Sequence, residues 1–187
     1  MLISANDLHR RKETRRGCRC LRPIDSRPNT PGPTSWELLF RLEARFSHPL
    51  EIQAHANCAR LEICYFTSGK VVGPRLSGRL LPGGGDWAVY RSPDSFDIDA
   101  RAVLHLEDGS LIYLRYAGIW RAQPGVLKKV FAPGGFQYFL PAEHYVRVVA
   151  RFQTASCRYS WLNESLALGI GSLSSEESIG YNFYDIK

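Results

Sequence analysis

The stretch FDIDARAVLHLEDGSLIYLRYAG, residues 96–118, contains two segments in which apolar residues alternate with polar ones. Alternation with a period of two is typical of half-buried β-strands. The dipeptide Asp108-Gly109 separates the segments, and between alternating runs it is the strongest short signal for a β-hairpin. The stretch therefore predicts an antiparallel hairpin with a two-residue type I′ turn at Asp108 and Gly109.

A two-residue loop would set the register of this hairpin. Arg101 would lie opposite Tyr116, and Asp99 and His105 would share that face of the sheet. If the face lines a barrel interior, Arg101 can hold an anionic or carbonyl oxygen, and Tyr116 can donate to an oxyanion. Asp99 or His105 can then move a proton. If the face looks outward, the same residues are ordinary cross-strand pairs, and the sequence leaves both alternatives open.

A second stretch, GRLLPGGGDW, covers residues 78–87 and contains three successive glycines after a proline. Glycine adopts backbone angles that other residues reach only at a cost, so the stretch predicts a shaped turn leading into a strand. Asp86 is expected either to hydrogen-bond the backbone of this turn or to stand as a carboxylate at a barrel mouth. Trp87 is expected either in the core or as a surface on which a ligand stacks.

Alternating segments elsewhere predict an antiparallel sheet of nine or ten strands. WELLFRLEARF begins the domain as a strand that His48-Pro49 ends or bends. EHYVRVVARFQT predicts a further strand, ASCRYSWLNESLALGIG predicts a helical turn or two followed by a strand, and residues 180–186 predict a closing edge strand. Because no crossover helices of a parallel sheet are apparent, the predicted fold is all-β. It is a single antiparallel β-barrel, calycin-like or similar, closed or nearly closed, with at most a short helical segment.

Residues 1–34 are basic and Pro-rich and are predicted to be a disordered tail before a β-barrel domain of residues 35–187. Of the net charge of +6, residues 1–35 carry +5 with eight Lys or Arg against three acidic residues. The rest of the chain therefore offers no electrostatic case for binding nucleic acid. A mitochondrial transit peptide is a weaker alternative for the tail because of Asp7 and Glu13, and a nucleic-acid or nuclear-import patch is another.

Cysteine and histidine usage predicts a reduced, cytoplasmic protein without a metal. The five cysteines are an odd number and no secretory segment precedes them. Neither the cysteines nor the five histidines show metal-ligand spacing. The glycines match neither the Walker phosphate-binding loop nor the dinucleotide-binding motif GxGxxG. No apolar run is long enough to cross a bilayer. We therefore expect no metal, no cofactor and no membrane partner.

Three blocks resemble a known family in their order and spacing: GRLLPGGGDW, DIDARAVLHLEDGSLIYLRYAG and FQTASCRYSWLNESLALGIG. From about Trp36 to the C-terminus the chain resembles the bacterial and fungal proteins of domain-of-unknown-function family 3237. The resemblance implies one compact antiparallel β-barrel and a function that is mostly uncharacterised. The residues matching the family pattern are Gly84, Asp86, Trp87, Asp99, Arg101, Asp108, Gly109, Tyr113, Gly118, Trp161, Leu162 and Asn163.

Two hypotheses about function follow. The first is a metal-free enzyme of isomerase, cyclase or lyase type that acts on an oxygenated small molecule in the barrel. Its candidate catalytic residues are Asp86, Asp99, Arg101 and Tyr116. Its candidate ligand-binding residues are Trp87, His105, Tyr113 and Asn163. The alternative is a non-catalytic barrel that binds a small ligand or forms a homo-oligomer, in which the same residues hold the strands together.

Overall fold

A computed structural model of the chain describes residues 35–52, 60–132, 134–135, 141–174 and 178–187. The strands of these residues are β1 (Trp36–Phe46), β2 (Leu50–Ile52), β3 (Leu61–Val72), β4 (Gly78–Ser92), β5 (Ser95–Leu106), β6 (Leu111–Ala122), β7 (His144–Gln153), β8 (Leu166–Ser174) and β9 (Ser178–Ile186). One short helix, α1 (Val126–Val130), follows β6, and 3₁₀ segments at Pro141–Glu143 and Cys157–Glu164 precede β7 and β8. The predicted tail of residues 1–34 lies outside the described residues.

The strands form a closed antiparallel barrel. Their order is β1-β9-β8-β7-β6-β5-β4-β3, and β1 also pairs with β3, which joins the two ends of the sheet. The short strand β2 follows His48-Pro49 and pairs with the part of β3 that lies beyond the end of β1. The all-β fold is thereby confirmed. The prediction that residues 180–186 form an edge strand is wrong, because β9 is paired on both sides, with β8 and β1.

Alternate residues of β5 and β6 point into the barrel. Every second residue of β5 from Phe96 to Leu106 is buried, and Ile112, Leu114 and Tyr116 of β6 are buried on the same side. The residues between them face outward. No helical segment of the described ranges is long and apolar enough to cross a membrane.

The β5–β6 hairpin has a three-residue loop, Glu107–Gly109, so the predicted two-residue turn is wrong. The N–H of Leu106 donates to the carbonyl of Ser110 at 2.9 Å, and the N–H of Gly109 donates to the carbonyl of Leu106 at 3.0 Å. Gly109 has φ +84°. This is a turn followed by a left-handed glycine bulge, the commonest three-residue hairpin loop.

The extra loop residue shifts the strand pairing by one position from the predicted register. Arg101 lies opposite Arg115, and Tyr116 lies opposite Ala100. Because neighbouring residues of a strand point to opposite faces, the shift moves Tyr116 away from the face of Arg101 and into the barrel.

The glycine stretch is a bulge inside β4 and not a turn before a strand. Leu81 pairs with Val103 and Gly85 pairs with Arg101, so the three residues from Pro82 to Gly84 lie opposite one residue of β5. A Cβ on Gly84 would come within 2.1 Å of the Arg101 carbonyl oxygen. The bulge therefore requires glycine, because only glycine lets the two backbones approach this closely.

We predict that Gly84→Ala destabilises the barrel by roughly 3 kcal/mol, because its methyl group meets backbone that cannot move alone. Gly109→Ala is the matched comparison, since a Cβ at Gly109 has open space around it and only the positive φ opposes it. Its expected cost is about 1–2 kcal/mol. Urea unfolding of both variants measures the difference. A Gly84→Ala protein as stable as Gly109→Ala would contradict the close approach.

Candidate functional site

The barrel contains a cavity of about 1200 Å³ at the end that carries α1 and the β4–β5 turn. Its wall is largely aromatic, with Phe96, Trp120 and Phe131 in mutual contact at centroid distances of 5.4–6.3 Å. A cavity of this size is large enough for a drug-sized molecule. The polar side chains in this wall determine which hydrogen-bonding groups a ligand must carry.

Asp86 lies on the inner face of β4. It pairs with Ala100 on one side and with Cys64 on the other, and Ala100 is fully buried in the barrel. Residues directly opposite each other in a sheet share a face, so Asp86 and Cys64 also point inward. Both line the cavity.

The Asp86 carboxyl group is largely removed from water. Burial raises its pKa to about 7, and the negative charge of Asp99 adds to this rise. A hydrogen bond from the backbone N–H of Asp99 to Oδ1 at 3.0 Å opposes the rise without cancelling it. Near neutral pH a large fraction of Asp86 therefore carries a proton, which it can donate.

Tyr116 of β6 and Tyr181 of β9 line the same cavity, with ring centroids 5.2 Å apart. Burial raises the pKa of both phenols well above the usual value, and the Asp86 charge adds to each rise. Neither hydroxyl has a hydrogen-bond partner among the residues the structure describes. Two neutral phenol donors therefore accompany the Asp86 carboxyl group.

A second polar group stands nearer the opening of the cavity. The Tyr90 hydroxyl donates to Glu62 Oε2 at 2.8 Å, and Arg60 lies 3.0 Å from Glu62 Oε1. The Arg60 guanidinium also covers the Tyr90 ring, with Cζ 3.7 Å from the ring centroid. The polar groups of these three residues are bound to one another. They shape the opening, and Asp86 and the inner tyrosines remain to bind a ligand.

Cys64 lies beside Asp86 but is not poised as a nucleophile. Burial raises the pKa of its thiol to about 12, and the charges of Asp86 and Glu62 raise it further. The reactive form of cysteine is the thiolate, which is scarce at such a pKa. In the described ranges, no three His, Cys, Asp or Glu side chains come together as a metal site.

Comparison with known proteins places this barrel in a family. The family described as "Protein of unknown function (DUF3237)" matches residues 34–186. The chain belongs to this family. A UPF0311 protein of Clostridium acetobutylicum is 28% identical over 152 residues, which cover 81% of this chain and 94% of the relative. The expected resemblance is thereby confirmed.

Solved structures similar to this DUF3237 barrel share its fold. A β-barrel-like protein of Acinetobacter baumannii has a TM-score of 0.70 at 28% identity, covering 85% of this chain and 99% of that one. A crystal structure described as an enzyme from Penicillium herquei has a TM-score of 0.60 at 19% identity, covering 84% of this chain and 98% of that one. At that identity the second likeness shows the fold alone.

The DUF3237 barrel separates the polar cluster predicted from the hairpin. Tyr116 lies inside with Asp86, whereas Asp99, Arg101 and His105 lie on the outer face of β5. Asp99 Oδ2 accepts a hydrogen bond from Arg101 at 3.0 Å, and His105 Nδ1 lies 3.2 Å from an Arg79 nitrogen. Of the two alternatives left open by the sequence, the outward-facing one therefore holds for Asp99, Arg101 and His105.

The remaining predicted ligand contacts also lie away from the cavity. Trp87 is on the outer face of β4, where the Arg101 guanidinium is 5.3 Å from its ring centroid. Tyr113 is exposed on the outer face of β6. The Asn163 side chain exchanges hydrogen bonds with the backbone of Thr154, at 2.8 Å and 3.0 Å.

Sequence reasoning missed Tyr181, Cys64 and the group at the cavity opening. The segment YNFYD contains the needed signal, because Tyr181 and Phe183 alternate with polar neighbours and so share a face. That face becomes the interior only once β9 pairs with β1, a strand far away in the sequence. The short-range pattern does not contain this pairing.

The raised pKa of Asp86 predicts a pH dependence of stability. Between pH 4 and pH 7 the unfolded chain has lost this proton while the folded protein keeps it, so stability falls as pH rises through this window. The shift corresponds to about 4 kcal/mol at most. We expect Asp86→Asn to remove this part of the decline, measured by urea unfolding at pH 4, 5.5 and 7. Asp97→Asn, on the outer face of β5, is the control. Parallel pH profiles for wild type and Asp86→Asn would rule out a raised pKa.

Proposed function

We propose that the protein is an enzyme that binds an oxygenated small molecule in the barrel and rearranges it by proton transfer. The observation that supports this most is the Asp86 carboxyl group, whose pKa burial raises to about 7, in the same cavity as two phenols that have no hydrogen-bond partner among the described residues. An isomerase, a cyclase and a lyase each need a group that gives or takes a proton and a means to stabilise charge on oxygen. Asp86 supplies the first, and Tyr116 and Tyr181 supply the second.

The roles follow from the chemistry of each group. Asp86 donates its proton to the ligand, and its carboxylate then accepts a proton from another position. The hydroxyls of Tyr116 and Tyr181 donate hydrogen bonds to a carbonyl oxygen as negative charge develops on it. In a cavity with aromatic walls these hydrogen bonds are stronger than in water, because little solvent competes for them.

The substrate is expected to match the cavity. Its body is apolar, since Phe96, Trp120 and Phe131 form much of the wall. It carries at least one carbonyl or hydroxyl oxygen within reach of the tyrosines. Asp99 and Arg101 lie on the outer face of β5, and it is the backbone N–H of Asp99 that holds the Asp86 carboxyl group.

Hydrogen–deuterium exchange tests the proposal without knowledge of the natural substrate. The protein is incubated in D₂O with a panel of cyclic hydroxyketones and unsaturated ketones, and proton NMR follows exchange or rearrangement at carbon. We expect catalysis of at least one panel member, with a rate that falls as pH rises above about 7, since the acid form of Asp86 is then lost.

Variants assign the activity to the cavity. Asp86→Asn is expected to lower the rate roughly 10²-fold or more, and Tyr116→Phe and Tyr181→Phe are each expected to lower it roughly 10²-fold. Tyr113→Phe removes a phenol from the outer face of β6 and is expected to leave the rate unchanged. Full activity in Asp86→Asn would contradict the proposed acid. A panel member that binds but is always recovered unchanged would favour the non-catalytic binding barrel.

A further inference from the structure

Three arginines lie side by side on the outer wall of the barrel. Arg101 of β5 is directly opposite Arg115 of β6, and Arg115 is directly opposite Arg151 of β7. Directly opposite side chains have Cβ atoms about 4.5–5.5 Å apart, and like charges at this spacing destabilise a sheet. A row of this kind calls for a compensating negative charge.

Within the described part of the chain, Asp99 is the carboxylate that forms ion pairs with this row of arginines. It lies 3.0 Å from Arg101 and 3.5 Å from Arg115. Arg151 is exposed and makes no ion pair or hydrogen bond with any described residue. Three positive charges therefore face one negative charge, and the excess lies at the Arg115 and Arg151 end.

That end of the row borders a groove of about 480 Å³. Tyr113, Gln153 and Thr154 line the groove beside the two arginines. The Thr154 hydroxyl donates to the Leu111 carbonyl at 2.7 Å. Among the residues that the structure describes, no acidic side chain lines the groove. The groups left for a ligand are two guanidiniums, a phenol and an amide, a set dominated by hydrogen-bond donors.

We propose that this groove binds the phosphate group of a phosphorylated small molecule. Guanidinium groups pair with phosphate oxygens through two parallel hydrogen bonds, and two neighbouring guanidiniums can hold one phosphate from both sides. The charge of a phosphate monoester, about −1.5 to −2 at neutral pH, balances the excess of the arginine row. The exposed ring of Tyr113 offers a flat surface to the organic part. This site is separate from the cavity of Asp86 and does not depend on its chemistry.

Thermal unfolding of the full chain tests the site with inorganic phosphate as the probe. Sodium phosphate and sodium chloride are compared at equal pH and ionic strength. We expect phosphate at about ten millimolar to raise the Tm by several degrees over chloride, because a ligand that binds only the folded state stabilises it. An equal effect of chloride would show general screening of the arginines and would overturn the proposal.

Arg151→Gln is the decisive variant, with Arg121→Gln as its control. Arg121 is an exposed arginine of β6 that covers the Tyr145 ring outside the groove. In chloride we expect Arg151→Gln to unfold at the wild-type temperature or higher, because a repulsive neighbour is gone. Its phosphate affinity by calorimetry should fall at least tenfold, while Arg121→Gln keeps the wild-type affinity. Unchanged affinity in Arg151→Gln, or a lower Tm of that variant in chloride, would contradict the site.

Phenyl phosphate tests the organic part of the ligand. We expect it to bind more tightly than inorganic phosphate, and Tyr113→Ala to remove that gain. Equal affinities would limit the groove to the phosphate ion and contradict a phosphorylated molecule as its ligand. A dimer that depends on Arg151 and is indifferent to phosphate would show that a second copy of the chain supplies the negative charge, which would also overturn the proposal.

Discussion

The two hydrogen bonds that close the β5–β6 loop determine which side chains enter the barrel. They make the loop three residues long, with Gly109 in the left-handed region. A sheet has a side-chain period of two, so one residue more or less in a loop exchanges the inner and outer faces of the following strand. With the observed loop, Tyr116 enters the cavity and Arg115 joins the outer arginine row. With a two-residue loop the two would change places.

The bulge in β4 has a comparable effect on Asp86. Glycine at position 84 lets β4 pass close to the Arg101 carbonyl, and the ladder resumes at Gly85 with Asp86 pointing inward. Burial of a carboxyl group costs free energy when it is ionised, and here one backbone N–H compensates only part of that cost. The protein instead keeps the proton on the group up to about neutral pH. This is a common way for a fold to hold an acid ready for proton transfer.

Local sequence patterns predicted most of the fold because they report local physics. Alternation identified β1, β5, β6 and β7, and the absence of crossover helices indicated an antiparallel barrel. Asp108-Gly109 predicted the position of the hairpin but not its loop length, since both loop types place glycine in the left-handed region. The predicted site was wrong for this reason. Arg101 and Tyr116 share a face with a two-residue loop, but they lie on opposite faces with the observed three-residue loop.

Other parts of the site depend on contacts between distant segments. Asp86 was predicted as a candidate, yet its raised pKa arises from burial by strands far away in the sequence. Tyr181 was missed because β9 becomes an interior wall only through its pairing with β1. The arginine row was invisible for the same reason, since Arg115 and Arg151 become neighbours only when β6 and β7 pair in the observed register.

Asp86 lies inside the barrel, where burial raises its pKa to about 7. Carbon-13 NMR of the aspartate carboxyl groups, with Asp86→Asn used to assign the signal, measures that pKa directly. We expect a titration midpoint of about 7 for Asp86. A midpoint near 4, the ordinary value for an exposed aspartate, would contradict both the inward register and the proposed role of this residue.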